Sequence, residues 1–277
     1  MEALRTSEWV AVGWFVVAAA LALVRPLPRE RRVRIGVGAA TACLAVIATA
    51  QLSPSGVSGA VRNLVPAVFV IGAYRLSGVF FVLPQPGVER WLLAADARVL
   101  GAIGLRDALV NAPRLVVELI EAAYVAVYPM LPLGAVAAWQ AGGNPAVDRF
   151  WTTVFLAEAC SYLATAWIQT RPPRSLEPGV AGIGARSVVR RLNERVLRYG
   201  SNMVNTIPSG HAAGAVAVAL VLLSLRSPLA LPSALLALAI LVATIIGRYH
   251  FIADTVAGAL VAAIVWALVG RLWESGL

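Results

Sequence analysis

The residues best suited to chemistry in this 277-residue chain fall into three short groups. There are only two histidines, His211 and His250, and each stands at the mouth of a long apolar segment. His211 closes the run Asn205-Thr206-Ile207-Pro208-Ser209-Gly210-His211. His250 is followed four residues later by Asp254, and Arg248 lies just before it. Arg171 and Arg174 flank Pro172 and Pro173 at the end of another apolar segment. An acid at the edge of hydrocarbon is costly and needs a reason. A His–Asp pair beside guanidinium groups suits chemistry on a phosphate.

Each residue type has a physical task in that chemistry. Arg171 and Arg174 can hold phosphate oxygens bidentately and neutralise charge that spreads in a transition state. Pro208 suits a first helical position, where no amide proton is needed. Ser209 and Gly210 have small side chains, so amides at the positive end of a helix can approach an oxyanion. His211, on that first turn, is placed to protonate a leaving oxygen. His250 and Asp254, four apart, share a helix face. The carboxylate can hold one ring N–H, which leaves the other nitrogen to attack phosphorus. His211, His250 and Asp254 are enough in number for a metal, but the flanking arginines repel a cation. No metal or other cofactor is expected.

The elements that must position these groups are membrane helices. Apolar residues make up 60% of the chain and the mean hydropathy is +0.79. A soluble domain has roughly 45–50%. A span needs about 20 mostly apolar residues, and that rule predicts spans over 9–24, 35–52, 63–83, 113–140, 147–169, 209–225, 229–247 and 252–272. The expected fold is an all-α polytopic membrane bundle. Residues 1–62 form an N-terminal transmembrane hairpin and 63–277 a six-helix core. Up-and-down threading puts the ends of the fifth and seventh spans, and the starts of the sixth and eighth, on one membrane face. All three motif groups therefore meet there, whatever the absolute orientation. Cys43 and Cys160 lie in apolar runs and read as small hydrophobes.

Several polar features lie between or within these spans. Val88, Trp91, Leu92, Ala95, Val99 and Leu100 recur at helical spacing, with Glu89, Arg90, Asp96 and Arg98 off that stripe. This predicts an amphipathic scaffold helix in the interface, with Trp91 at headgroup depth. Glu118, Glu121 and Tyr128 share a face of the fourth span, with Arg75 the expected ion partner for one of the acids. A basic amphipathic helix is predicted from Arg186 to Arg198, with Val188, Leu192 and Val196 as its apolar stripe. Its simplest role is to lie on anionic headgroups; the alternative is a lip over the site.

Arg-Pro, then Pro-Ser-Gly-His, then His-x-x-x-Asp, in that order over roughly residues 113–272, resembles the type 2 phosphatidic acid phosphatase superfamily. The resemblance implies a metal-independent membrane enzyme working through a phosphohistidine. By position, Arg171, Ser209 and Gly210 would bind phosphate, His211 would be the general acid, His250 the nucleophile and Asp254 its orienting partner. The family's first motif has a lysine where this chain has Ala164, and its third an arginine where this chain has Thr244. Arg174 and Arg248 are the available substitutes. Arg171-Pro172-Pro173-Arg174 is also similar to the branch of inositol phosphorylceramide and sphingomyelin synthases, which pass a phospho-headgroup to another lipid.

Three functions follow from these residues: phosphatase of a lipid phosphate, lipid phosphotransferase, or a transporter or scaffold that binds anionic lipids. The third predicts that His250 is dispensable. The expected partners are a membrane lipid phosphate and the bilayer. Nucleic acid is not expected, because the basic residues are spread along membrane borders. Seventeen of the 23 cationic residues, all arginines, fall on the face of the motifs. The positive-inside tendency makes that face cytoplasmic; the resemblance implies the opposite one.

Overall fold

A computed structural model describes residues 4–102, 104, 112–177, 187–200, 202 and 204–275. The helices are α1 (Thr6–Val24), α2 (Arg29–Ala50), α3 (Gly56–Leu64), α4 (Pro66–Ser77), α5 (Pro86–Ala102), α6 (Arg114–Val125), α7 (Val127–Ala164), α8 (Pro173–Leu176), α9 (Val188–Gly200), α10 (Gly210–Ser224), α11 (Ala230–Ile246) and α12 (Ile252–Glu274). Among the described residues the only strand-type pairing is an isolated bridge between Thr170 and Asn205. The fold is an all-α polytopic bundle. Four stretches are each long and apolar enough to cross a membrane: α1, α2, the run from Gly56 to Phe80, and α12. The α6–α7 pair, bent by 54° at its junction, passes the same test only when its two helices are taken together. This is an integral membrane protein.

The fourth and fifth expected spans are joined by a hairpin inside α7. Gly142 and Gly143 leave helical geometry there, and Gly143 has φ 67° and ψ −156°, a backbone region open essentially only to glycine. A Cβ added at Gly134 would lie 2.9 Å from the Phe150 ring, so the two limbs of α7 run side by side. The second limb ends at Ala164, earlier than the expected 169. Pro172 and Pro173 lie beyond its end and open the short α8, where a missing amide proton costs nothing.

Small residues let the bundle close. Without a hydrophobic drive between helices in lipid, association depends on close backbone approach. Ala212, Ala213, Gly214, Ala215 and Ala217 line the buried α10, which packs between α7, α11 and α12. The N-terminal hairpin joins the same core, with Trp14 Nε1 donating to the Ala159 carbonyl at 3.2 Å. At the membrane face opposite the motifs, buried Glu8 pairs with buried Arg62 at 2.8 Å. Ser7 N donates to Asp148 there. These contacts fix α1, α3 and the α7 hairpin at one level.

The two amphipathic helices meet the bundle largely through charged and polar residues. In α5, Glu89, Leu92 and Asp96 are buried while Trp91 and Val99 are exposed. In α9, Arg190 and Asn193 are buried, whereas Val188 and Leu192 of the apolar stripe are exposed. The reason is the solvent. Around a membrane bundle the outside is apolar, so charged groups are satisfied inward and apolar ones face lipid. Glu118 accepts from Ser187 Oγ and from the amides of Val188 and Val189 at 2.8–2.9 Å, capping α9. Glu121 accepts from Asn193 Nδ2 at 2.7 Å and lies 3.7 Å from Arg190. The two acids of α6 therefore hold α9. Arg75 lines a cavity between α2 and α4. Arg186 and part of 84–112 lie outside the described residues.

Candidate active site

Three backbone hydrogen bonds tie the motif segments together. Asn205 N donates to Thr170 O at 2.9 Å, Ser209 N to Asp254 O at 2.9 Å, and Arg174 N to Arg248 O at 3.1 Å. The convergence expected from threading is thus a set of direct bonds. A Cβ added at Gly258 would lie 2.4 Å from Ser209 O, so glycine at that point lets α12 approach the start of α10.

Two of the candidate residues also build the local backbone. Ser209 Oγ caps α10 by accepting from Ala212 N at 3.3 Å, satisfying an amide that would otherwise be orphaned. Pro208 is therefore outside the helix, ahead of the cap, and not at its first position. Asp254, fully buried, accepts from Phe251 N at 3.0 Å through Oδ2 and caps α12. The same oxygen accepts from Asn205 Nδ2 at 2.8 Å. His250 sits in the turn ahead of α12, two residues before the helix starts. Its Nδ1 lies 3.7 Å from Asp254 Oδ2, within ion-pair reach and beyond hydrogen-bond length.

Both histidines face one cavity of about 350 Å³. Their ring centroids are 5.8 Å apart. His250 Nδ1 and His211 Nε2 are buried nitrogens without a hydrogen-bond partner among the described residues. His211 stacks on Tyr124 at 4.7 Å, and Tyr124 stacks on Tyr249 at 3.5 Å. The Arg174 guanidinium sits 4.6 Å over the Tyr249 ring. Arg174 also lines the cavity, as do Thr206 and Gly210. Gly210 N donates to Thr206 Oγ1 at 3.3 Å. The far wall is apolar, from Ala67, Val70 and Ile71 of α4 and Leu131 of α7. Ile71 is 54% exposed on the outside of the bundle, so that wall reaches lipid.

The other two arginines are held by carboxylates. Arg171 makes two bonds to Glu89, at 2.8 and 3.1 Å, and remains 45% exposed. The guanidinium holds the Glu89 carboxyl below its usual range, and Glu89 in turn raises Arg171. Arg248 is buried, 2.6 Å from Asp96 and 2.8 Å from Glu177, with a positive φ of 57°. Burial pushes the Asp96 carboxyl up, against the pull of Arg248. Thr244, where the resemblance expects an arginine, shares a hydrogen bond with Thr255 at 3.1 Å and joins α11 to α12. The structure thus gathers His211, His250, Arg174 and Gly210 on the cavity, buries Asp254, Ser209 and Arg248 away from its lining, and pairs Arg171 with Glu89 outside that lining.

Sequence reasoning missed Glu158 and Tyr162. Both line the cavity, and Tyr162 Oη donates to Glu158 Oε2. A Cβ added at Gly214 would lie 2.0 Å from Glu158 Oε1, which places the carboxyl one turn along α10 from His211. The signal was present: an acid in mid-span, with a tyrosine four residues on, marks an inward polar site.

The family model described as the PAP2 superfamily matches residues 90–268. That range holds all three motif groups and every catalytic candidate. No curated protein and no solved structure matches the chain.

Proposed function

The chain belongs to the PAP2 superfamily, and on that premise we propose that it transfers the phosphoryl group of a membrane lipid phosphate through a covalent phosphohistidine. His250 attacks phosphorus with the ring nitrogen turned away from Asp254. The bond from phosphorus to the lipid oxygen breaks, and His211 gives that oxygen a proton. Water then attacks the phosphohistidine, His211 takes the proton back, and phosphate leaves as the P–N bond breaks. Asp254 holds the attacking imidazole in its tautomer. Arg174 neutralises charge on the transferring group. Arg171, Arg248, Ser209 and Gly210 complete the phosphate site, Arg171 and Arg248 by exchanging carboxylate for phosphate contacts.

The observation that carries this reading is the pairing of two histidines and Arg174 with an apolar wall. Polar groups gather where a phosphate would sit, and the wall from α4 runs out to the lipid at Ile71. An acyl or prenyl chain can remain in that wall while its head reaches the histidines. A water-soluble phosphate would gain nothing from it.

Glu158 and Tyr162 favour a second reading, phosphotransfer to a lipid alcohol. A carboxyl–phenol pair suits a hydroxyl better than a phosphate oxyanion, which the acid repels once ionised. The test is phosphate release from a panel of lipid phosphates by purified protein in detergent, with chelator present. His250→Ala and His211→Ala are run beside it. Release by wild type and none by His250→Ala supports the phosphatase. Headgroup appearing on an added lipid alcohol, without release, moves the reading to the transferase. Full activity in His250→Ala removes the phosphohistidine.

A further inference from the structure

Helix α9 reaches the site from outside, through contacts that the proposed chemistry does not use. Asn193 is buried and donates through Nδ2 to Glu121 Oε2 at 2.7 Å and to Tyr249 Oη at 3.2 Å. Tyr249 Oη in turn donates to Glu121 Oε2 at 2.5 Å. The Tyr249 ring is stacked on Tyr124, which is stacked on His211, and the Arg174 guanidinium lies over the same Tyr249 ring. Asn193 is therefore one residue from Arg174 and two from His211.

The outer face of α9 has a different composition. Arg191, Arg195, Val188 and Leu192 fall in that order on an arc of about 100°, and all four are exposed. Arg190 and Asn193 lie on the opposite side and are buried. Glu194 flanks the arc but sits 3.5 Å from Arg190, the inner arginine. Neither Arg191 nor Arg195 has a carboxylate partner among the described residues. The helix lies at the membrane border, since Asn193 meets Tyr249 in the turn between α11 and α12 on the motif face.

We propose that this arc is an interaction surface for the anionic phospholipid headgroups of the surrounding bilayer, and that holding α9 against them sets the positions of Tyr249, Arg174 and His211. Val188 and Leu192 enter the acyl boundary, and Arg191 and Arg195 beside them bond headgroup phosphates. Arginine suits that place, because its weakly hydrated fork matches phosphate while its stem stays among apolar groups. Two cations on an apolar face complement an anionic lipid surface better than a soluble acidic protein, which would have to cover Val188 and Leu192. Each arginine near such a surface favours docking about fivefold, and the pair about 25-fold. The consequence for turnover rests on the phosphotransfer reading; the surface itself does not.

The experiment compares the full chain in nanodiscs of phosphatidylcholine with nanodiscs of phosphatidylglycerol and phosphatidylcholine in equal parts. Hydrogen–deuterium exchange reads α9 and the turn at residues 247–251, and lipid-phosphate turnover is measured beside it. In wild type, phosphatidylglycerol is expected to slow exchange in α9 by about tenfold or more, to slow it in the turn, and to raise kcat by about threefold or more. Arg191→Gln/Arg195→Gln should give equal readings in the two lipids, and Arg191→Lys/Arg195→Lys should keep most of the difference. Both double variants change exposed side chains, and thermal unfolding verifies that they fold. Tyr249→Phe removes the hydroxyl that reaches Glu121 and keeps the ring. In that variant α9 should still exchange more slowly with phosphatidylglycerol, while the turn and kcat no longer respond. Equal α9 exchange in the two lipids, an equal slowing by inorganic phosphate in phosphatidylcholine discs, or an undiminished difference in the Gln double variant overturns the surface. Slower α9 exchange with no response in the turn or in kcat overturns the coupling to the site. Absence of turnover on every lipid phosphate removes the phosphotransfer reading, and exchange in the two segments still decides the proposal.

Discussion

Asn205→Ala tests how much of the proposed chemistry depends on the orientation of Asp254. The Asp254 carboxylate is fully buried, and one oxygen receives two hydrogen bonds: 3.0 Å from Phe251 N and 2.8 Å from Asn205 Nδ2. Removing the second leaves a buried charge with half of those donors. A hydrogen bond to a charged group contributes about 1.5–3 kcal/mol. At 1.36 kcal/mol per tenfold in rate, the whole loss falling on the transition state would slow turnover about tenfold to about 150-fold. Asn205 has no place on the cavity wall, so KM should change by less than about threefold while kcat falls. The assay is steady-state phosphate or headgroup transfer from the best lipid phosphate, with thermal unfolding in parallel because Asn205 also bonds Thr170. A kcat within threefold of wild type in a folded variant would show that Asp254 is oriented without Asn205. A raised KM at constant kcat would place Asn205 in binding, and the positioning role would fail.

Four further outcomes follow from the packing around the site. Arg248→Ala leaves Asp96 buried and unpaired and should lower stability by about 3–5 kcal/mol. Because φ at 248 is 57°, Arg248→Gly should unfold at a higher temperature than Arg248→Ala, by about 1 kcal/mol of relieved strain; the reverse order would remove the strain argument. Gly258→Val should push α12 away from Ser209, whose carbonyl lies 2.4 Å from the added Cβ position, and should abolish turnover in whatever fraction still folds. The Glu89 carboxyl is depressed by Arg171, so their pairing contributes stability above the ordinary glutamate pKa and loses it as pH falls through the lower folded value. The stability gap between wild type and Glu89→Gln should therefore be flat from about pH 7 to pH 5 and close below about pH 4; a gap that widens in acid would reverse the sign.

Much of the bundle was legible in the sequence because a membrane span needs only length and apolarity. The last three helices lie within two residues of their expected bounds. The meeting of Arg174, His211 and His250 was legible too, since alternation of spans fixes which ends share a face. That result needs no side-chain packing. Membership of the family followed from residue types at fixed spacing, Pro208 to His211 and His250 to Asp254.

Tertiary structure decided what each charged group does once it arrives. Arg171, Arg174 and Arg248 are equivalent in the sequence, yet only Arg174 lines the cavity, because α5 brings Glu89 and Asp96 against the other two. That docking was not legible. Periodicity gives the two faces of α5 and α9 but not which one meets protein, and a lipid exterior reverses the choice that water would make. Ser209 and Asp254 were read as chemistry alone, although each also caps the helix that carries it. Whether a polar side chain binds substrate, a neighbour or its own backbone depends on distances of a few ångströms between helices far apart in sequence, and those distances are set only when the bundle closes.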